Sequence, residues 1–168
     1  MSQQTEPSTI WLSESALEQL KVELANLKGP VRQDIVARIS AARDEGDLKE
    51  NGGYHAAREE QGKLEGQIRQ LEHVVANAFT TVPDDDGIVA PGKVVTYKFD
   101  GDADDEAETF LLGAREMESA ADGVTVYSPQ APIGAALLGA TAGDTVEFEG
   151  PTGKTLKVHV MKAVPFKD

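Results

Sequence analysis

The sequence predicts an α+β protein: an N-terminal antiparallel coiled-coil hairpin, then a small antiparallel β-sheet domain with one short helix. Three observations carry that reading. Apolar residues recur at heptad spacing in two runs, residues 17–42 and 57–78. A polar, glycine-rich stretch, Gly46-Asp47-Leu48-Lys49-Glu50-Asn51-Gly52-Gly53, separates the runs. Beyond Pro83 the helical period gives way to short β-branched and aromatic runs divided by turn residues.

Residues 1–10 are mostly polar, contain Pro7 and predict a disordered tail. Trp11-Leu12 leads into Ser13, a plausible N-cap, with Leu12 and Leu17 at hydrophobic-staple positions. Ser15 with Glu18 fits a capping box better, so the helix start stays open by two residues. Leu17, Leu20, Leu24 and Leu27 form a seam that Gly29-Pro30 interrupts, because proline kinks or breaks a helix interior. Val31, Ile35, Ile39 and Ala42 resume it in compatible phase. One helix with a kink or short break is expected, ending near Glu45-Gly46. The second arm, from about Asn51 to Ala78, carries Ala57, Gln61, Leu64, Ile68, Leu71, Val75 and Ala78. Each arm would be about 45 Å long at 1.5 Å per residue.

The domain boundaries follow. The hairpin occupies 11–80, its tip lies at 46–51, and the acidic Pro83-Asp84-Asp85-Asp86-Gly87 makes 81–92 a linker. Residues 93–168 form the second domain. Its expected strands are Lys93–Phe99, Glu108–Leu112, Val124–Tyr127, Thr145–Phe148 and Thr155–Val160, with a short helix near Ile133–Leu138. The change of period predicts that a fragment starting near Ile88 folds without the hairpin.

Composition narrows the function. The chain has no cysteine, which excludes disulfides, thiol catalysis and zinc–thiolate sites. No apolar run is long enough for a membrane span and the N-terminus lacks signal-peptide features, so no membrane role and a cytoplasmic location are expected. The net charge is −13, with 29 acidic against 16 basic residues. Phosphate binding relies on Lys and Arg, so such a chain should have little independent affinity for nucleic acid.

Asp47 and Glu50 stand three apart, a spacing that sets two carboxylates side by side on a helical turn or tight loop. An ordinary solvated turn has the same composition, and from the residues alone both readings stay open. Arg38, Arg43, Lys49 and Arg58 gather in the same part of the hairpin. They either solvate helix faces, or steer the tip along a surface or touch an RNA end. His55, His73 and His159 are scattered without metal-site spacing, and Gly150-Pro151-Thr152-Gly153-Lys154-Thr155 lacks the glycine spacing of a phosphate loop.

Gly46-Asp47-Leu48-Lys49-Glu50-Asn51, Tyr54-His55-Ala56-Ala57-Arg58-Glu59-Glu60-Gln61-Gly62 and Glu65-Gly66-Gln67-Ile68 closely resemble the bacterial transcript cleavage factors of the GreA/GreB family, GreA branch. The similarity runs from about residue 10 to 163 and includes Pro132-Ile133-Gly134, Leu137-Leu138-Gly139 and Gly143-Asp144-Thr145-Val146. It implies a coiled coil plus an FKBP-like domain. It also implies a transcription elongation factor that binds bacterial RNA polymerase and enters its secondary channel. There it would stimulate the polymerase's own cleavage of backtracked nascent RNA 3′ ends. By the same resemblance, Asp47 and Glu50 lend oxygen ligands to a Mg²⁺ shared with the polymerase, which the free protein would not hold stably. Such a factor completes the polymerase active site and is not an enzyme alone. Arg43, Lys49 and Arg58 would touch RNA or the channel. Ser128, Pro129, Pro132 and Ile133 would dock on the polymerase. Two departures from the family pattern stand out: Gly52-Gly53 where many members have Ala-Glu, and Ala131 where members commonly carry serine.

Three other functions are weighed against this one. A channel-binding relative without cleavage activity would lose or rearrange the tip acids, which this chain keeps. An FKBP-type prolyl isomerase needs an apolar aromatic pocket, and residues 80–168 contain no Trp. A hairpin chaperone needs an apolar tip, and this one is charged.

Overall fold

The first helix starts where Ser13 can cap it. The Ser13 hydroxyl accepts the Ala16 N–H at 3.2 Å, and helix α1 spans Glu14–Asn26. Of the two expected starts, the first is correct. Ser15 turns instead to the C-terminus, where its N–H and hydroxyl both bond the Asp168 carboxylate. The computed structural model describes residues 10–47 and 49–168, so most of the predicted disordered tail lies outside the described residues.

The Gly29-Pro30 interruption is a π turn, Leu27–Val31, with helical backbone on both sides. The Arg32 N–H bonds the Leu27 carbonyl, five residues back. The wider turn makes room for a proline ring, which would otherwise press on the carbonyl four residues earlier. Helix α2 follows at Arg32–Asp44 and, after the turn, α3 at Gly52–Asn77.

Ile35, Ile39, Ala57, Leu64 and Ile68 form the hairpin core, with Leu24, Leu27, Val31 and Tyr54 packed against it. Ion pairs Lys28–Glu72, Arg32–Glu65 and Arg38–Glu60 link the arms. Partner numbers fall along α3 as they rise along the first arm, which is the antiparallel order the seams require. Near the end of α3, Val74 is buried and Val75 only half-buried. A helix of 3.6 residues per turn drifts off a strict heptad, and the burial shifts by one position.

The sheet has the order β3-β2-β1-β5-β4, with β1 at Lys93–Phe99, β2 at Glu108–Leu112, β3 at Thr125–Tyr127, β4 at Thr145–Glu149 and β5 at Thr155–Pro165. It is antiparallel except at one edge, where β3 runs parallel to β2 with Leu111 opposite Val126. A tight hairpin cannot join parallel neighbours, and the chain crosses through the 3₁₀ turn Arg115–Ser119. Short helix α4, Pro132–Leu137, buries Leu137 in the core with Val89, Val95, Tyr97, Phe110, Leu112, Val158 and Val160.

Two boundaries differ from the sequence reading. The chain divides into two compact units, residues 10–16 with Ala78–Asp168, and Leu17–Asn77. Trp11 and Leu12 are buried within the sheet unit. Leu12 N–H bonds Phe79 O, Ala114 N–H bonds Trp11 O, and the indole N–H donates to Thr81 O at 2.9 Å. The 81–92 segment, read as a linker, contributes Val89 to the core, while Ile88 bridges Thr141. Leu12 with Leu17 looks like a staple in sequence, but Trp11 and Leu12 find partners about seventy residues away or more.

Candidate functional site

Helix α2 ends where its last carbonyls turn back on the chain. Glu45 N–H bonds Ala42 O and Gly46 N–H bonds Arg43 O. Gly46 has φ 127°, a conformation that residues with a Cβ rarely adopt, and it directs the chain away from the helix. Asp47 follows. One of its carboxylate oxygens accepts the Lys49 N–H at 3.0 Å, an Asx turn within the loop. Glu50 is exposed, as is Asp47.

Asn51 closes the loop. Its side-chain oxygen accepts the Tyr54 N–H at 3.0 Å, capping α3, and its amide nitrogen donates to Ala42 O at 2.6 Å. Asp47 and Glu50 therefore sit in one short turn between the two helices. Among the described residues neither enters an ion pair, and no group of three His, Cys, Asp or Glu is placed to hold a metal. Just behind the turn, Ala41, Ala42, Gly53, Ala56 and Ala57 line a shallow groove bounded by Arg38 and Glu45. Small side chains keep this end of the hairpin thin.

The basic residues divide. Arg43 is exposed, with its guanidinium 5.8 Å from the Tyr54 ring centre across the hairpin end. Lys49 is exposed beside Asp47, and its carbonyl lies 3.4 Å from the His55 ring nitrogen. Arg58 donates to Gln61 on its own helix. Arg38 is not a free cation: it pairs with Asp34 and with Glu60, whose carboxyl is held below the ordinary range chiefly by that hydrogen bond.

The expected docking residues divide as well. Pro132 is exposed, Ser128 is half-buried, and Leu138 beyond them is exposed. Pro129 is buried and Ile133 packs against the sheet core, so these two shape the loop from beneath. Gly134 has a steric reason: a Cβ there would lie 2.2 Å from the Ser128 carbonyl oxygen. In the same unit Tyr97, Phe99, Phe110 and Tyr127 pack edge to face on one another. Burial, then the Glu108 carboxylate that accepts its hydroxyl at 2.6 Å, push the Tyr97 phenol well above its ordinary range. Tyr97 and Phe110 belong to the sheet core, and Tyr97 and Tyr127 also line an open cavity of about 330 Å³ whose other walls are the polar Glu108, Thr109 and Thr125.

Sequence reasoning did not single out the Asn51 side chain, which closes the loop from both sides. The signal was present, since Asn directly before a helix start is an N-cap signature. Its second bond, to Ala42, could not be read from the pattern.

A helical hairpin with an acidic turn, carried with a five-stranded α+β unit, defines the class of protein expected from the tip motif. The chain belongs to the GreA/GreB family of transcription elongation factors: the family's N-terminal model matches residues 10–79 and its C-terminal model residues 84–164. It is 50% identical to the transcription elongation factor GreA of Streptomyces avermitilis over 165 residues, 98% of each chain. It is 44% identical to that of Mycolicibacterium smegmatis, over 97% of this chain and 99% of the relative. A solved structure titled as a prokaryotic elongation factor GreA/GreB from Nitrosomonas europaea aligns over 92% of this chain and 97% of its own, at 22% identity and a TM-score of 0.39. That overlap is too low to argue from, and the family assignment rests on the sequence matches.

Proposed function

We propose that this elongation factor binds bacterial RNA polymerase, inserts the hairpin turn into the secondary channel and completes the active site that cleaves backtracked RNA. The observation that carries the reading is the placement of Asp47 and Glu50, exposed and free of ion pairs among the described residues, in a turn closed by Asn51. The thin end of the hairpin suits entry into a narrow passage.

The donor set fits Mg²⁺. It is a hard cation that takes oxygen ligands, keeps several waters and uses one or two protein carboxylates. One Asp47 carboxylate oxygen accepts the Lys49 N–H, and the group retains lone pairs for a further ligand. In the polymerase complex Asp47 and Glu50 would supply oxygen ligands and accept hydrogen bonds from the attacking water. When bound, the metal lowers the pKa of that water and offsets charge on the leaving 3′ oxygen. Arg43 and Lys49 flank the acids and supply positive charge toward RNA phosphates. Two carboxylates without further ligands hold Mg²⁺ weakly, so the protein works as a cofactor of the polymerase, in the cytoplasm, with the nascent RNA 3′ end as the shared substrate. Pro132, Ser128 and Leu138 are the accessible part of the docking loop.

The test adds purified protein to stalled elongation complexes carrying labelled RNA and follows transcript shortening. Cleavage should require both polymerase and factor, with none from the factor, Mg²⁺ and RNA alone. Asp47→Asn and Glu50→Gln keep size but remove the charges that favour metal. Loss of one ligand interaction worth about 3 kcal/mol slows the reaction more than about a hundredfold. Asp44→Asn, a nearby charge outside the pair, should cost far less, and raised Mg²⁺ should partly restore the tip variants. Parent-like cleavage by both tip variants while bound to polymerase would leave only an ordinary solvated turn.

A further inference from the structure

We propose that Asn51 is a positioning residue for the cleavage reaction, the side chain that sets where Asp47 and Glu50 stand. The inference rests on the cleavage reading above and assigns a further residue to it. A single primary amide makes two bonds on opposite sides of the turn: it donates to Ala42 O at 2.6 Å and accepts from Tyr54 N–H at 3.0 Å. The orientation of the amide is fixed by its partners, because a carbonyl can only accept and an N–H can only donate. The Asn51 backbone carbonyl takes the His55 N–H as well, at 3.1 Å, so the residue is anchored by three bonds.

The chemistry singles out asparagine. Asp keeps the acceptor but loses the donor, and Ala loses both. Ala42 O already accepts the Glu45 N–H and takes the Asn51 amide as its second donor, so the end of α2 and the start of α3 meet at one oxygen. Asp47 and Glu50 both lie inside the loop that this contact closes. The first turn of α3 opens with Gly52-Gly53, the poorest helix formers after proline, so its order depends on the cap more than in a chain with Ala-Glu there. Displacing a reacting group by about 1 Å can cost a hundredfold in rate. A loop closed at both ends by one amide prevents such drift.

The competing reading is an ordinary helix cap, whose loss lowers helix stability and nothing else. Asn51→Asp separates the two. Asp is as good an N-cap as Asn and its charge favours a helix N-terminus, so a pure cap role predicts parent-like behaviour. It puts a carboxylate oxygen where the donor to Ala42 O stood. Under the positioning role, Asn51→Asp keeps helix content, melting temperature and polymerase affinity. At saturating factor it slows stimulated cleavage by about tenfold or more and needs higher Mg²⁺ for its half-maximal rate. The added negative charge would draw Mg²⁺ toward the turn, so a raised requirement reflects geometry and not charge. Should Asn51→Asp lose helix, Asn51→Ala with Gly53→Ala restores helix propensity without either bond and is expected to stay slow. Asp47→Asn is run alongside. Parent-like cleavage by Asn51→Asp, or by the Asn51→Ala/Gly53→Ala pair, with Asp47→Asn inactive overturns the positioning role alone. Parent-like cleavage by Asp47→Asn, bound to polymerase, overturns the metal-donating reading beneath it.

Discussion

Lys93 opens strand β1 and is fully buried, the one buried residue of charged type among the described residues. Its ammonium reaches an Asp86 carboxylate oxygen at 2.9 Å, and the same oxygen accepts the Ile88 N–H at 3.0 Å. The Lys93 bond first, and the Ile88 N–H second, hold the Asp86 carboxyl below its ordinary range. A carboxyl whose folded pKa is depressed adds stability above its ordinary pKa, and that stability is lost as pH falls through the folded value. Melting of the parent should therefore fall as pH drops below the ordinary carboxylate range. Asp86→Asn should melt lower than the parent at pH 7 and show a shallower fall, both read by thermal denaturation across pH. About half of the Asp86 side chain is exposed, so solvent screens the pair and the change in slope is modest. Lys93→Met should cost less than Asp86→Asn at pH 7, because an unpaired ammonium left inside is worse than an apolar chain in its place. None of this was legible in the sequence. Asp86 read as one of three acids in a linker, and a lysine at the start of a strand reads as exposed. Periodicity assigns faces, but a loop-to-strand ion pair has no period.

At the scale of elements, legibility followed the length of the pattern. The two helical arms and the bounds of β1 and β2 could be read because each rests on several residues repeating one spacing, whereas the start of α1 stayed open between Ser13 and Ser15. The Asp47 and Glu50 pair was legible through its motif, and its loop position follows from the turn residues around it. Strand β5 runs five residues past the expected Val160, to Pro165, because it pairs along the whole of β1 through a bulge at Thr96/Tyr97 that no local signal marks. The parallel edge of β3 depends on a crossover, which three residues of strand cannot announce. The π turn at Leu27–Val31 is the clearest place to test an element. Gly29 lies within helical backbone and directly precedes Pro30, whose ring crowds a Cβ on the residue before it in helical conformation. Gly29→Ala should therefore lower hairpin stability, read as a lower urea midpoint by circular dichroism at unchanged slope, and a raised midpoint would show that the wider turn relieves the clash.

The whole molecule divides close to the expected cut near residue 80, but the segment before the first arm falls on the other side of the division from the one expected. The expected cut near residue 80 follows the change from heptads to strands, yet the sheet unit also recruits residues 10–16, which precede the first arm in the chain. Trp11 is 2% exposed and its ring meets Phe166 edge to face at 6.2 Å between centroids. The Asp168 carboxylate takes two bonds from Ser15, which hold its carboxyl below the ordinary range. Burying a side chain of this size is worth about 3–5 kcal/mol by the usual cost of truncating it to Ala, a large part of the stability of a small domain. A fragment starting at Ile88 loses Trp11, Leu12 and Phe79 together, and it should show no cooperative melt. Residues 10–12 and 78–80 run side by side through the parallel bridge of Trp11 with Phe79, so the lost strand can be restored without the hairpin. Joining residue 16 to residue 78 through about eight Gly/Ser residues gives a flexible reach of roughly 16 Å, enough for one helical turn to double back. That shortened chain should unfold in one transition. Trp11, the only tryptophan in the sequence, reports it by fluorescence, since its indole passes from a buried site to water. Trp11→Ala in the full chain should weaken the same transition by about 3–5 kcal/mol, followed by near-ultraviolet circular dichroism once the fluorophore is gone. The helical signal of Leu17–Asn77 gives an internal reference for whether the loss stays within the sheet unit. A cooperative, parent-like melt from the Ile88 fragment would move the boundary back to the acidic segment and make residues 10–16 an accessory to the sheet unit.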